Sequence, residues 1–204
     1  MRSVTKPLTT KNFPLVILCG GKSSRMGKNK TFLPFCQFDS LIHFQYNRLY
    51  PFFENLFISS KQHNFNFLEE NSTNIILDEN KNIYSPLIGL KEILTKVNAP
   101  KVFILTVDTP FVSIQSIEKL IDKCTEYEIT IAQTLNKTHN LCGVFSTSLL
   151  PKIEKMLEQD IHKIGYLIKQ SHVQVVEFDN EEEFLNMNTK EEYEKALEIL
   201  KRSI

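Results

Sequence analysis

Val16-Ile17-Leu18-Cys19-Gly20-Gly21-Lys22-Ser23-Ser24-Arg25-Met26-Gly27-Lys28-Asn29-Lys30 is the most informative run in the chain. The apolar segment LVIL, starting at Leu15, ends at two glycines. Behind them come Ser23, Ser24, a third glycine at Gly27, and four cations, Lys22, Arg25, Lys28 and Lys30. The pattern predicts a strand, an anion-gripping loop and then a helix. Glycines let backbone N–H groups approach a phosphate closely, and cations offset its charge. The spacing matches neither a Walker A loop nor the GxGxxG fingerprint. A glycine-rich turn with solvated lysines is the bland alternative.

Downstream, Leu41, Phe44, Gln45, Arg48 and Leu49 fall at helical intervals behind Asp39 or Ser40 as a cap. Leu56-Phe57-Ile58 reads as a second strand, 61–73 as an irregular excursion, and Ile75-Ile76-Leu77 as a third strand ending at Asp78. Pro86 suits a first helical turn, and Leu87, Leu90, Leu94 and Val97 form one stripe behind it. The run KVFILTV, 101–107, predicts a central strand buried on both faces. Ser113 caps a helix, 128–133 is a fifth strand, and TLNKTHN is expected to be a polar loop before a strand at 141–145. Residues 151–170 read as a helix broken near Asp160 and by Gly165, and 173–178 as a strand. Glu181-Glu182-Glu183 reads as a solvated turn. The final helix opens on a Thr189/Glu192 capping box and buries Tyr193, Ala196, Leu197 and Leu200. Alternating strands and helices predict an α/β three-layer sandwich around a mostly parallel, mixed sheet. Residues 1–204 are expected to form a single domain, with 1–13 as a loosely ordered lead-in.

Composition narrows the function classes. The 204 residues are 42% hydrophobic and 24% charged, ordinary values for a globular protein. A net charge of zero argues against a nucleic-acid surface or a polybasic membrane patch. It leaves room for a local basic pocket around Arg25 and Lys30. Cys19, Cys36, Cys124 and Cys142 are scattered without a CxxC pair, which argues against zinc and against a disulfide framework. No apolar run has transmembrane length, and the first residues lack the apolar core of a secretory signal. A cytoplasmic protein is expected, with no nucleic acid or membrane as partner. One sequence does not determine the oligomeric state; a monomer is the working expectation.

In an open α/β sheet, ligands bind beyond the carboxyl ends of the strands. Gly20-Gly21 follow the first apolar run, Asp78 the third and Asp108 the fourth. Chain order alone would gather a phosphate loop and two carboxylates along one edge. Asp108 at a strand tip suits Mg²⁺, which typically takes one or two carboxylates plus phosphate oxygens. The alternative is that Asp108 only caps the turn at Thr109-Pro110.

The first loop, L-x-G-G-x-x-x-R-M-G-x-[DN]-K, resembles the N-terminal signature of the nucleotidyltransferases, and most of all the molybdenum cofactor guanylyltransferases. VDTPF resembles that family's C-D-x-P-[FY] element, and Asp78 with Ser85-Pro86-Leu87-Ile88-Gly89 resembles D…GPLxG, with Ser85 in place of a glycine. THNLCGVFS resembles a segment near the second substrate, with Asn140 in place of a proline. FLNMNT resembles F-x-N-x-N-T. The matches run in order from Leu18 to Thr189.

The resemblance implies a Rossmann-like fold. It also implies GTP binding by Leu18, Cys19, Gly20, Gly21, Lys30, Ser59, Asp78 and Asp108, and Mg²⁺ at Asp108. Molybdopterin contacts are implied for His139, Asn186 and Asn188, and catalytic roles for Arg25, Lys30 and Asp108. His139 as a surface histidine, and Asn188 or Thr189 as a plain helix cap, are the structural alternatives. The implied reaction is transfer of GMP from GTP to the phosphate of molybdenum-molybdopterin, with release of pyrophosphate. Proteins that deliver or accept the cofactor are the implied partners. The rivals are a CTP- or UTP-dependent nucleotidyltransferase with another phosphate acceptor, and a non-catalytic nucleotide-binding regulator. The side chains themselves do not select guanine over cytosine or uracil.

Overall fold

A computed structural model describes residues 10–19, 29–61, 65–69, 73–78, 83 and 85–202. Gly20, Gly21 and Arg25, and with them most of the glycine loop, lie outside the described residues.

Among the described residues seven strands form one sheet: β1 (Leu15–Cys19), β2 (Leu56–Ser60), β3 (Ile75–Leu77), β4 (Lys101–Thr106), β5 (Ile129–Thr134), β6 (Lys137–Ser146) and β7 (Val173–Glu177). Their order is β3-β2-β1-β4-β6-β5-β7. The pairs β3–β2, β2–β1, β1–β4 and β5–β7 are parallel, and β6 runs antiparallel to both β4 and β5. The sheet is therefore the mixed, mostly parallel one expected. Among the described residues six α-helices cover it: α1 (Leu41–Leu49), α2 (Pro86–Lys96), α3 (Ile114–Asp122), α4 (Leu150–Glu158), α5 (Ile164–Lys169) and α6 (Lys190–Arg202).

The central strands are buried on both faces, so each apolar run feeds two cores. Leu15, Ile17, Phe103 and Leu105 pack toward α1, α3 and α6 with Leu41, Leu49, Leu120 and Ala196. Val16, Leu18, Val102 and Ile104 pack toward α2, α4 and α5 with Leu87, Leu90, Ile153 and Leu167. Helix starts follow their capping chemistry. Ser40, Ser85 and Ser113 each accept a backbone N–H of the first turn, and Thr189 and Glu192 form a reciprocal capping box at 3.2 and 2.9 Å.

Four expectations need correction. Of the lead-in, Thr10–Asn12 form a 3₁₀ turn and Phe13 is buried in the core, because Glu54 N–H bonds to Lys11 O and draws the segment against the sheet. TLNKTHN is no loop: β5 and β6 turn at Leu135-Asn136, and β6 starts at Lys137. Gly165 lies inside α5; the break is at Asp160, which adopts φ 58°. In α6 only Ala196 is fully buried, while Tyr193, Leu197 and Leu200 are partly covered.

The β5–β6 ladder carries an irregularity that shapes the site. Ile131 pairs with Gly143, yet the adjacent Ala132 pairs with His139. Asn140, Leu141 and Cys142 are thus extra residues on β6, and they bulge over the carboxyl end of β4. A polar pattern with a histidine, asparagine and cysteine at this point reads as loop because the pairing partner that makes it strand is not local.

Candidate active site

Two adjoining cavities open at the carboxyl ends of β1, β2, β3 and β4, and share Thr106 and Leu141 as their common wall. Leu18, Cys19, Ser59 and Asp78 line one, together with Ser60 and Lys61. Lys30, Asp108, His139, Asn186 and Asn188 line the other. The described residues singled out from the sequence therefore all face one continuous cleft. The parallel register explains this: Leu18 pairs with Ser59 on one side and Thr106 on the other, so the strand ends finish level.

Asp108 follows β4 in a tight turn, with Thr109 N–H bonded to Thr106 O at 3.2 Å. The residue is 7% exposed. Oδ2 pairs with the Lys30 ammonium, while Oδ1 is buried without a hydrogen-bond partner. Lys30 opens a 3₁₀ turn capped by Asn29 and also donates to Asn188 Oδ1 at 2.9 Å. Asn188 N–H in turn donates to Glu192 Oε2 at 2.7 Å, which anchors the asparagine to the first turn of α6. Met187 N–H donates to Asp108 O at 2.9 Å, so the segment before α6 holds the Asp108 backbone as well. Asn188 does more than cap a helix: it ties the cation of the first loop to the carboxylate of β4. Asn186 Oδ1 is buried in the same cavity without a hydrogen-bond partner.

Asp78 stands where β3 ends, with its N–H on Ser60 O and its carboxylate 3.2 Å from Lys61 Nζ. Lys61 was not singled out from the sequence, although it directly follows the strand-end pair Ser59-Ser60. Ser85, where the resemblance has a glycine, accepts Leu87 N–H at 3.2 Å and starts α2. Its substitution therefore serves the helix.

His139 is not a surface histidine. It is 6% exposed, bonded to Thr134 Oγ1 at 3.2 Å and tilted against Phe184 at 4.9 Å between ring centroids. Burial, aided by Lys137, pushes its pKa down to about 4 despite Glu181, so the ring is neutral at pH 7. Cys19 is buried, and burial together with the Asp108 charge pushes its thiol far above the ordinary range, although a Thr31 hydrogen bond opposes this. It packs as a small apolar residue and offers no thiolate. Glu183 of the acidic run accepts Ser113 N–H at 2.8 Å and caps α3.

The carboxyl edge of this α/β sheet thus sets a lysine–carboxylate pair near a second strand-end carboxylate, and the class of protein to which the chain is similar is the nucleotidyltransferases. Residues 15–175 match the family model of the MobA-like NTP transferase domain. The chain is 40% identical over 188 residues to the molybdenum cofactor guanylyltransferase of Campylobacter jejuni subsp. doylei, covering 91% of this chain and 96% of that one. It is 33% identical over 195 residues to the enzyme of the same name from Helicobacter pylori strain G27, covering 93% and 94%. The solved structure of molybdopterin-guanine dinucleotide biosynthesis protein A from Archaeoglobus fulgidus superposes with a TM-score of 0.76 at 21% identity, covering 93% of this chain and all of that one. The chain belongs to the molybdenum cofactor guanylyltransferase family. Among the described residues, no helix is long and apolar enough to cross a membrane.

Proposed function

We propose that the protein transfers GMP from GTP to the phosphate of molybdenum-molybdopterin, forming the guanine dinucleotide cofactor and releasing pyrophosphate. The observation that carries the reading is the Lys30–Asp108–Asn188 cluster lining one cavity, with the cavity of Leu18, Ser59 and Asp78 adjoining it across Thr106 and Leu141. The names of the relatives supply the base and the acceptor.

The nucleophile is an oxygen of the acceptor phosphate, already ionised at neutral pH because the second phosphate pKa is about 6. It attacks the α-phosphorus of GTP; the bond to the β,γ-diphosphate breaks, and pyrophosphate leaves with its electron pair. No protein nucleophile is needed. The chain positions two anions and offsets their charge. Leu18, Cys19, Ser59 and Asp78 line the nucleoside side. Lys30, with Arg25 of the first loop, balances the triphosphate and the leaving group. Gly20 and Gly21, outside the described residues, are assigned to backbone contacts with phosphate by the sequence resemblance alone. Asn186 and Asn188 meet the acceptor beside neutral His139. Among the described residues no three metal-ligating side chains stand together. A single carboxylate with a buried, unpartnered oxygen still fits a divalent cation whose other ligands are phosphate oxygens. Asp108 would hold Mg²⁺, which when bound withdraws charge from the phosphate oxygens.

Thermal stabilisation by GTP, CTP and UTP with Mg²⁺ tests the base, and pyrophosphate release with a molybdopterin acceptor tests the reaction. GTP should stabilise most and support release. Preference for CTP or UTP would replace the substrate while keeping the reaction class. Binding without release in the presence of the acceptor would make the protein a nucleotide-binding regulator.

A further inference from the structure

The turn that presents Asp108 is braced from beneath by two polar side chains of α1. Gln45 is fully buried. Its Nε2 donates to Val107 O at 3.3 Å and to Thr109 O at 3.1 Å, the carbonyls on either side of Asp108. Arg48, one turn further along α1, donates from Nη1 to Val112 O at 2.8 Å and from Nε to Gln45 Oε1 at 2.7 Å. The amide orientation of Gln45 follows from its partners. Arg48 Nε only donates and the two carbonyls only accept, so the oxygen must face the arginine and the NH₂ must face the turn. Burial depresses the Arg48 guanidinium to about 10, which still leaves it fully charged at neutral pH. The amide and the guanidinium therefore act as one unit, and that unit fixes three carbonyls of the 107–112 segment.

We infer that Gln45 and Arg48 are positioning residues for the reaction: through the 107–112 backbone they aim the Asp108 carboxylate, and with it the divalent cation and the α-phosphate. The inference rests on the proposed nucleotidyl transfer. Neither side chain lines the cleft, so neither touches substrate. Among the described residues no group of metal-ligating side chains gathers at Asp108 to share the cation, so its aim depends on the backbone that carries it. Misplacement by about 1 Å is enough to cost on the order of 100-fold in rate. Lys30 and Met187 hold Asp108 from the cleft side, and the α1 pair holds it from the core side.

The test uses the full chain and Mn²⁺ as the metal probe, counted by electron paramagnetic resonance in the presence of saturating GTP. Gln45→Leu keeps the volume and removes the amide; Arg48→Lys keeps the charge and removes the fork. In Gln45→Leu, kcat should fall roughly 10- to 100-fold, with KM for GTP within about threefold. Mn²⁺ affinity should weaken by roughly tenfold, and Arg48→Lys should lie between Gln45→Leu and the unaltered protein. In an Asp108→Asn background, Gln45→Leu should not weaken Mn²⁺ binding further, because the pair acts through that carboxylate. Melting curves define the temperature at which each variant is folded, and all readings are taken below it. Folded Gln45→Leu with unchanged Mn²⁺ affinity and unchanged kcat would overturn the inference, as would additive losses with Asp108→Asn. If the unaltered protein binds no GTP with Mn²⁺, the proposed function itself fails, which is a separate result.

Discussion

Lys30 and Asn188 lie 158 positions apart in sequence and are joined by a 2.9 Å hydrogen bond from the ammonium to the amide oxygen. The same ammonium pairs with Asp108. The bond links the 3₁₀ turn at Lys30 to the segment just before α6 in the lining of the cavity, and it holds a flexible four-carbon side chain at one point. Lys30→Ala should therefore lower kcat/KM for GTP by at least about 100-fold, through loss of a charge-assisted contact to phosphate. Asn188→Ala should lower it by about tenfold while leaving the cation in place. Steady-state kinetics with varied GTP measure both, and an unchanged GTP dependence in Lys30→Ala would remove that residue from triphosphate binding.

Asp108→Asn preserves shape and removes charge. Turnover should drop at least about 1,000-fold, since the metal ligand and the Lys30 counter-charge are lost together. Folding should change little, because the backbone of the turn is held by Gln45 and Met187 and not by the carboxylate. Circular dichroism melting and pyrophosphate release read the two effects separately. Full activity in this variant would exclude Asp108 from the mechanism.

Strand-end chemistry was legible because a parallel sheet needs long apolar runs, and the polar residue that ends each run is placed by the run itself. Asp78 and Asp108 stand out in that way, whereas Ser59 is indicated only through the resemblance. The FLNMNT asparagines were found only through resemblance; their partnership with Lys30 depends on how α6 returns to the sheet. The β6 bulge was missed because THN looks like turn until Ala132 and Ile131 of β5 are laid beside it. Gln45 and Arg48 sat in plain view on an amphipathic helix. A glutamine at an inward position signals a buried polar group that needs partners, but those partners, the carbonyls of 107–112, are distant in sequence.

His139 makes stability depend on pH in a defined window. Its folded pKa is about 4 against an ordinary value near 6.5, so the unfolded chain binds the extra proton between those limits. Stability from this group is complete above about pH 6.5 and is lost as pH falls toward 4, by roughly 3 kcal/mol, of which about 2 kcal/mol is lost by pH 5. Carboxylates shifted downward act at lower pH: burial raises Glu128, but the His172 N–H and Lys152 outweigh it and hold it below the ordinary value of 4.5. The interval from pH 6.5 to 5 therefore lies above the range of those carboxylates, and the His139→Gln variant separates this histidine from the other four. Urea denaturation at pH 7 and pH 5 should show a loss that His139→Gln largely abolishes. An equal loss in that variant would assign the effect elsewhere.

Thiol chemistry follows burial. Cys36 is exposed, whereas Cys19, Cys124 and Cys142 are buried. Burial and Glu183 push the Cys142 thiol up to about 12 against Arg48, and Cys124 and Cys19 are raised as well. In the native protein a thiol reagent should titrate Cys36 rapidly and the other three only after denaturation. Activity should survive the modification. Rapid labelling of Cys19, located by peptide mass analysis, would contradict its packed environment.

Two glycines give opposite expectations for the same substitution. Gly143 lies where β6 is squeezed between β4 and β5, beside the bulge that carries Leu141 over the cleft. A Cβ there would stand 2.0 Å from Thr130 O and 2.9 Å from Ile131 Cα, both backbone atoms of a paired strand. Relief requires parting the ladder, so Gly143→Ala should cost roughly 3 kcal/mol and lower the melting temperature by about 6–12 °C. Activity should fall with it, because Leu141 and Asn140 move when the ladder parts. Gly165 sits in α5, and a Cβ added there meets nothing within 4 Å. Gly165→Ala should raise stability by about 0.5–1 kcal/mol, since alanine gives up less chain entropy in a helix. Differential scanning calorimetry of the two variants beside the unaltered protein decides both. A Gly143→Ala variant as stable and active as the original would mean that β6 does not run this close to β5.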